Sequence, residues 1–267
     1  MDDVQRLLCS MYREYTNGKG MNLDRSAAYF NGTPLRPVVP LDCGIGSVFI
    51  LGAYPSSRFM VAESGPDPEM GVKKVTDVPG GDNLGPFEDE RWFDGTRVRE
   101  QPSARELNEH FLVPLRLDRR KCWVTDLVKV FLFKKGHVDR YKKINAIPPA
   151  GYERERFHEL GELSLPWIAK ELAVAQPKLM ITLGAEVAGI LHGIKVPAQQ
   201  VALLEPKVSR VSLGGPTVDT IHCAHPGILM RKRIGEGWLK RHEDEFIGEI
   251  SAHLESKGVE RIPEARR

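Results

Sequence analysis

The sequence predicts an α/β protein with three αβα layers, in which helices cover both faces of a central, mostly parallel, four-stranded sheet. Four short segments are predicted to be strands, and the first of them has the apolar, β-rich composition of a strand that is buried on both faces. These segments are Ser47–Leu51, Cys122–Val130, Lys178–Leu183 and Val218–Cys223. Helical patterns lie between them, and strands that alternate with helices are typical of a parallel sheet.

The segments between the strands predict helices and one long loop. Ser103 with Glu106 forms a capping-box pattern, and Ser164 followed by Pro166 suits an N-cap and an early first turn. Residues 52–102 have no helical period and predict a long irregular loop, which in a compact domain is often functional. The predicted helices run from Asp3 to Tyr15, from Ser103 to about Phe111, from Ser164 to about Ala175, from Gly184 to about Gly193, and from about Glu236 to Ser256.

Length and composition favour a single globular domain. The chain has 267 residues, of which 41% are hydrophobic and 28% charged. We expect residues 1–45 to form an N-terminal helix and an extended arm, packed on an α/β domain of residues 46–267. No apolar run approaches the roughly 20 residues that span a bilayer. The acidic, charge-alternating start is not a secretory signal, so a cytoplasmic location is expected.

Cysteine and histidine spacing argues against a metal site. The cysteines form no CxxC pair, which disfavours a zinc ribbon or an iron–sulfur cluster and predicts free, buried thiols. His222 and Cys223 are neighbours on a predicted strand, so they point to opposite faces and cannot both face one ion. We therefore expect no metal and no cofactor. The four cysteines are Cys9, Cys43, Cys122 and Cys223.

Two other enzyme classes are also disfavoured. Gly44 and Gly46 precede their strand, whereas the dinucleotide-binding fingerprint follows a strand and needs a third glycine. The Gly-x-Ser-x-Gly elbow of serine hydrolases does not occur in the chain.

Two segments concentrate positive charge. Residues 129–143 carry six Lys or Arg against one acid, and residues 228–241 carry five against one. Such clusters are either solvated surfaces or contacts to a phosphate backbone. Nucleic acid is therefore a candidate partner.

Motifs at the ends of the predicted strands occur in a definite order. In that order and spacing, over roughly residues 47–233, the chain resembles the uracil-DNA glycosylase superfamily, with the iron–sulfur (family 4) and related bacterial branches closest. The chain lacks the cysteine cluster of the family 4 branch. The resemblance implies a uracil-DNA glycosylase-like fold, a monomer, and a base pocket beyond the carboxyl ends of the strands. The motifs are Val48–Pro55 (VFILGAYP), Gly85–Phe87 (GPF), Val124–Lys129 (VTDLVK), Pro177–Gly184 (PKLMITLG) and His225-Pro226.

The resemblance implies a catalytic role for His225, which would hydrogen-bond a carbonyl oxygen of the leaving base as negative charge develops there. Phe87 would stack on the base after the enzyme flips it out of the duplex. The base would also contact the backbone and side chains that follow the strands. Those base-binding residues are Gly52, Ala53, Tyr54, Phe87 and Asp126.

The resemblance also places DNA contacts on the basic segments. After His225, either Ile228 or Leu229 would fill the gap that the flipped base leaves. A helix start with a basic surface is the alternative interpretation of that segment. The further predicted DNA contacts are Ser56, Lys129, Lys134, Lys135, Arg231, Lys232 and Arg233.

Two positions depart from the family pattern. Several branches carry an acidic or amide residue that positions the attacking water, and here the matching residues are Ala53 and Tyr54. Glu88, Asp89, Glu90 or Asp94 would supply a replacement, although such a cluster also describes a solvated loop.

Asp126 stands where relatives usually carry Asn to read the base edge. An ionised Asp only accepts hydrogen bonds, so it favours a base with an amino group unless it is protonated when occupied. Asp126 could also activate water, or pair with Lys129 in a purely structural role.

These observations predict a monofunctional DNA glycosylase that excises uracil or another deaminated or modified base. One alternative is a catalytically silent relative that binds nucleic acid or a free base. A second is an unrelated α/β enzyme that acts on a nucleoside or nucleotide.

Overall fold

The centre of the molecule is a mixed sheet of five strands in the order β6-β1-β7-β9-β8. Four of these strands pair in parallel, and β8 runs antiparallel to β9 at one edge. The computed structural model describes residues 2–17, 37–55, 59–61, 75–77, 85–88, 90–93, 96, 98–143, 154–229, 231 and 235–263. The strands within this part are β1 (Val48–Gly52), β2 (Phe59–Val61), β3 (Val75–Asp77), β4 (Glu90–Phe93), β5 (Val98–Gln101), β6 (Trp123–Asp126), β7 (Leu179–Leu183), β8 (Ser209–Ser212) and β9 (Thr217–Cys223).

Helices flank the sheet on both faces, which is consistent with three αβα layers. Two π-helical turns, Asn108–Leu112 and His242–Phe246, join consecutive helices. None of the described helices is long and apolar enough to cross a bilayer. The α-helices are α1 (Asp3–Asn17), α2 (Ser103–Leu107), α3 (Val113–Leu115), α4 (Lys135–Lys143), α5 (Phe157–Ala175), α6 (Ala185–Leu191), α7 (Pro197–Ala202), α8 (Pro226–Leu229), α9 (Gly235–Arg241) and α10 (Ile247–Ser256).

The four predicted sheet strands are confirmed, but the strand count of four is wrong. The fifth strand, β8, has one buried residue, Val211, so it carries no continuous apolar run. The predicted second strand is also too long, because the chain leaves β6 after Asp126. There the amide groups of Leu127 and Val128 donate to the carbonyl oxygens of Gly52 (2.9 Å) and Ala53 (3.0 Å).

The segment 52–102 was predicted to be irregular, and this is wrong for four short stretches of it that form strands. The strand β2 pairs antiparallel with β3, and β4 pairs antiparallel with β5. Each pair is a separate two-stranded sheet. The prediction failed because strands of three or four residues are too short to show an alternating pattern.

Helix α5 begins at Phe157, seven residues before the predicted start at Ser164. Phe157, Leu160 and Ile168 follow a helical spacing and are buried, so packing extends the helix upstream. Ser164 does not cap the helix; its hydroxyl donates to the carbonyl oxygen of Leu160 (2.6 Å) and bonds the Tyr15 hydroxyl (2.7 Å). Pro166 therefore lies inside the helix.

Strand alternation divides the core into two clusters, one on each face of the sheet. Phe49 and Leu51 of β1 face α1 and α5, whereas Val48 and Ile50 face α2 and α10. We call the second the α2 face. Gly52 continues the alternation onto that face.

The cysteines are all free thiols, but only two are buried. Cys122 and Cys223 lie in the core, whereas Cys9 is exposed on α1, so the prediction of buried thiols is wrong for Cys9. Met11 and Tyr15 of α1 belong to the core cluster that contains α5. The boundary at residue 45 stays a prediction.

Candidate active site

Three predicted site residues meet at the carboxyl edge of the sheet. Gly52 and Asp126 are register partners at the ends of β1 and β6. A Cβ on Gly52 would lie 2.2 Å from Asp126 Oδ1 and 2.5 Å from Phe87 Cε2, distances that real Cβ atoms do not reach. Only glycine therefore fits at position 52. We call Gly52, Asp126 and Phe87 the pocket floor.

Phe87 is held in an unusual backbone conformation. Its φ of 57° lies in the left-handed region, which is a rare conformation for a bulky residue. The Arg119 guanidinium donates to the carbonyl oxygens of Phe87 (2.8 Å) and Pro86 (2.7 Å), and its Nε donates to Asp42 (2.7 Å). Strained residues of this kind persist where surrounding contacts determine them, and they cluster at ligand sites. Arg119 is thus a positioning residue that the sequence interpretation missed.

His225 lies next to the pocket floor. Its ring centroid is 6.4 Å from that of Phe87, with 35° between the planes. The main-chain N–H of Gly227 donates to His225 Nδ1 (3.0 Å), so Nδ1 is an acceptor and the neutral ring carries its proton on Nε2. Burial and the positive charge of Arg231 lower the pKa of His225 to about 4. At neutral pH the side chain is therefore an uncharged donor through Nε2.

Lys129 is a core residue, and its prediction as a DNA contact is wrong. It is fully buried, and its Nζ lies 2.6 Å from Glu171 Oε1. The same ammonium group donates to the main-chain carbonyl of Asp126 (2.6 Å) and to the Thr125 hydroxyl. Lys129 thus ties the end of β6 to α5, and the carboxylate partner that explains its burial comes from a distant segment. The suggested structural pairing with Asp126 is present through the main-chain oxygen of Asp126.

Tyr54 points away from the pocket floor. Its ring packs against Phe131 (centroids 6.0 Å apart) and Phe157 (5.6 Å) in the core on the α5 side. The guanidinium of Arg154 lies 5.3 Å from the ring centroid. Burial raises the pKa of the Tyr54 hydroxyl. Ala53 packs on the same side, so neither side chain contacts the pocket floor from the α2 face.

Glu88 is the one acid predicted to replace the water-positioning residue whose side-chain contacts the structure describes. Glu88 is paired with Arg119, at 3.1 Å between Oε1 and Nη2. This pair uses the same guanidinium that holds the Phe87 loop. Asp89 lies outside the described residues, and so does Ser56.

Glu106 is an acid near the site that the sequence analysis assigned to the capping box of α2. The predicted capping box is wrong, since Pro102 occupies the N-cap position and no side chain caps α2. Glu106 is 2% exposed, and its Oε2 has no hydrogen-bond partner among the described residues. A Cβ on Gly227 would lie 3.3 Å from His225 Nδ1 and 3.7 Å from Glu106 Oε2. Both side chains therefore border the same small space.

The predicted DNA contacts differ in how exposed they are. Ile228 is partly exposed, whereas Leu229 is 2% exposed and belongs to the core of the α2 face, which leaves Ile228 as the wedge candidate. Arg231, Lys134 and Lys135 are exposed, and Lys135 pairs with Asp139 at 2.7 Å. Lys232 and Arg233 lie outside the described residues.

A cavity of about 410 Å³ lies away from the pocket floor. Its lining includes Arg154, Glu186 and Lys195, near the start of α5, α6 and α7. Arg154 pairs with Glu186, and Lys195 pairs with Glu162 at 3.2 Å, so its charged groups are mostly used in surface ion pairs. We place the candidate site at the strand ends, because several buried polar groups converge there and not in this cavity.

His222 and its neighbours form a hydrogen-bonded group in place of a metal site. His222 Nδ1 lies 2.7 Å from the Thr182 hydroxyl, and its Nε2 lies 2.9 Å from His192 Nε2. Burial and His192 lower the pKa of His222 to about 4. Across the described residues, no group of three or more His, Cys, Asp or Glu side chains could hold a metal ion.

A comparison with models of known protein families found no match, and a comparison with curated proteins found none either.

Proposed function

We propose that this protein is a DNA glycosylase that flips uracil, or another deaminated or modified base, out of DNA and hydrolyses its N-glycosidic bond. The observation that carries the proposal is the neutral His225, which lies beside the ring of Phe87. The N–H of Gly227 donates to Nδ1 of this histidine, so the Nε2–H does not take part in that bond. A planar ring and a neutral donor side by side suit a flipped base that leaves as an anion.

The chemical steps follow from the arrangement of these groups. Extrusion of the base costs a few kcal/mol of unstacking, which stacking on Phe87 offsets by about 1–3 kcal/mol. As the bond between the sugar and the base breaks, negative charge spreads to the carbonyl oxygen of the base. The Nε2–H of His225 stabilises that charge without a proton transfer, as a neutral imidazole can.

Asp126 would select the base. Its carboxylate lies against Gly52 in the pocket floor and is 2% exposed, so a bound base would meet it with little competing water. An ionised carboxylate accepts from a ring N–H or an amino group and repels a carbonyl oxygen. Bases that present a donor toward Asp126 should therefore be removed faster than uracil, whose O4 would face the second oxygen.

Excision assays test this proposal directly. Duplex and single-stranded oligonucleotides with one uracil, hypoxanthine, xanthine or modified cytosine are incubated with the protein, then treated with alkali and separated on a gel. We expect strand cleavage for at least one base, and a loss of at least about 100-fold for His225→Ala, since a donor at a developing oxyanion contributes about 10²–10³. No cleavage of any base at high protein concentration contradicts the proposal.

A catalytically silent binding protein is the second candidate. It is favoured by one observation: the chain has no acid at positions 53 and 54, and the Tyr54 ring packs in the core. This candidate predicts salt-dependent DNA binding without turnover, and binding that His225→Ala leaves unchanged.

A further inference from the structure

The inference concerns Glu106 and rests on the proposed glycosylase function. Glu106 belongs to α2, and its neighbour Leu107 packs in the same core cluster as Phe87 and Leu229. The side chain reaches the turn at the start of α8, where Glu106 Oε2 and His225 Nδ1 lie within 4 Å of one point, the Cβ position of residue 227. An acid on the helix layer thus borders the histidine that would hold the leaving base.

One oxygen of the Glu106 carboxylate lacks a hydrogen-bond partner among the described residues. That oxygen is Oε2, and the residue is 2% exposed. Burial raises the pKa of Glu106, Arg105 acts in the opposite direction, and Glu109 adds to the increase. A buried acceptor without a partner costs free energy, so each such group in a folded protein requires an explanation, and catalysis is one of them.

The other acids near the site whose side chains the structure describes have different contacts. Glu88 pairs with Arg119, and Asp126 lies against Gly52 and Phe87 on the base side of the pocket. The chain has no carboxylate at positions 53 and 54. A glycosylase must nevertheless orient a water molecule toward the sugar and accept a proton from it.

We propose that Glu106 is the carboxylate that binds the attacking water and accepts its proton. The water oxygen forms a bond to C1′ of the sugar as the bond between C1′ and the base nitrogen breaks. The electron pair of that bond leaves with the base, whose carbonyl oxygen accepts a hydrogen bond from His225. The water proton passes to Glu106 and then to the departed base anion, which restores both groups.

Single-turnover excision kinetics of Glu106→Gln test this assignment. The probe is a uracil-containing duplex, or the base of the test panel that the wild-type protein removes. We expect the rate to fall by about 100-fold or more, the usual contribution of a general base, while affinity for the same DNA changes by less than about threefold. The matched control is Glu109→Gln on the adjacent π-helical turn, which removes an exposed acid and should leave the rate unchanged.

The dependence of the rate on pH separates a catalytic from a structural role. The wild-type rate should rise with pH through a single ionisation above the ordinary glutamate pKa of about 4.3, and the residual Glu106→Gln rate should lack that ionisation. The charged groups that act on Glu106 are Arg105 and Glu109 along its own segment, and the titratable group beside it at the start of α8 is His225, which itself feels the positive charge of Arg231. Asp126→Asn should lower the rate yet keep the ionisation.

The outcomes are distinguishable. A wild-type protein that cleaves while Glu106→Gln keeps its rate within threefold overturns the role of Glu106 alone. A wild-type protein that cleaves no base overturns both proposals. If circular dichroism shows that Glu106→Gln does not fold, the pH dependence of the wild-type rate tests the role of Glu106 instead. A wild-type rate that is flat down to pH 4.5 contradicts a catalytic carboxylate.

Discussion

Replacing Lys129 with Ala should destabilise the protein strongly, although the change removes a lysine from a basic segment. Lys129 is fully buried, with its Nζ 2.6 Å from Glu171 Oε1 and 2.6 Å from the carbonyl oxygen of Asp126. Among the described residues, the Glu171 carboxylate would then keep the Trp123 indole N–H as its one partner, which donates to Oε2 at 2.8 Å. Breaking a buried pair in this way costs about 3–5 kcal/mol, a large part of the roughly 5–15 kcal/mol that stabilises a domain.

Urea unfolding followed by circular dichroism measures this loss, and two further variants define its origin. Lys135→Ala removes an exposed lysine paired with Asp139, and solvent screens such a surface pair, so the variant should unfold at nearly the same urea concentration as the wild type. The double variant Lys129→Met/Glu171→Leu removes both charges and should recover part of the lost stability, since the Trp123 indole N–H and the Asp126 carbonyl oxygen still lose a partner. If Lys129→Ala unfolds at the same urea concentration as Lys135→Ala, the buried pair is not the anchor of β6 that we describe.

Three further predictions concern the site. Gly52→Ala places a Cβ 2.2 Å from Asp126 Oδ1, so it should cost about 1–3 kcal/mol of stability and abolish base excision, and unchanged thermal unfolding would contradict the packing of the floor. Phe87→Leu keeps an apolar side chain but loses the planar ring, so excision should slow by at least about fivefold, the lower end of a stacking contribution, in single-turnover assays. The pKa of His225 is lowered from about 6.5 to about 4, so the unfolded chain binds a proton that the folded chain does not as the pH falls through this window. His225 should thus lower the unfolding free energy by up to about 3 kcal/mol between pH 6.5 and 4, and equal pH slopes for the wild type and His225→Gln in urea titrations would exclude this effect.

The sequence was most informative where burial leaves a continuous apolar run. The strands β1 and β7 are the clearest such runs, and the residues that follow the four parallel strands meet because parallel strands end at one edge of the sheet. The failures have a common cause. Val211 in β8, Lys129 in the core and the upstream start of α5 at Phe157 each depend on a partner from a distant segment. Local composition does not contain that information.

Glu106 shows the same limit at the candidate site. Its position three residues after Ser103 matches the capping-box pattern. In the sequence alone, helix capping is therefore enough to explain why a glutamate stands there. In the structure Pro102 is the N-cap residue of α2, so the Glu106 carboxylate does not cap the helix. The position of this carboxylate then has to be explained by tertiary contacts. Only the approach of the Gly227 turn shows that this carboxylate borders His225.

Strand parity explains why the candidate site lies on one face of the sheet. Val48 and Ile50 in β1, Val124 in β6, and Ile221 and Cys223 in β9 all pack in the core of the α2 face. Counting in steps of two from these residues reaches Gly52, Asp126 and His225, so the three strand ends point toward one layer of helices. Tyr54 would share that parity, but the strand ends at Gly52 and the Tyr54 ring packs against Phe157 instead. Residue 54 therefore does not present its side chain to the pocket floor, whereas Glu106 reaches this face of the sheet from a covering helix, which agrees with the role we propose for it.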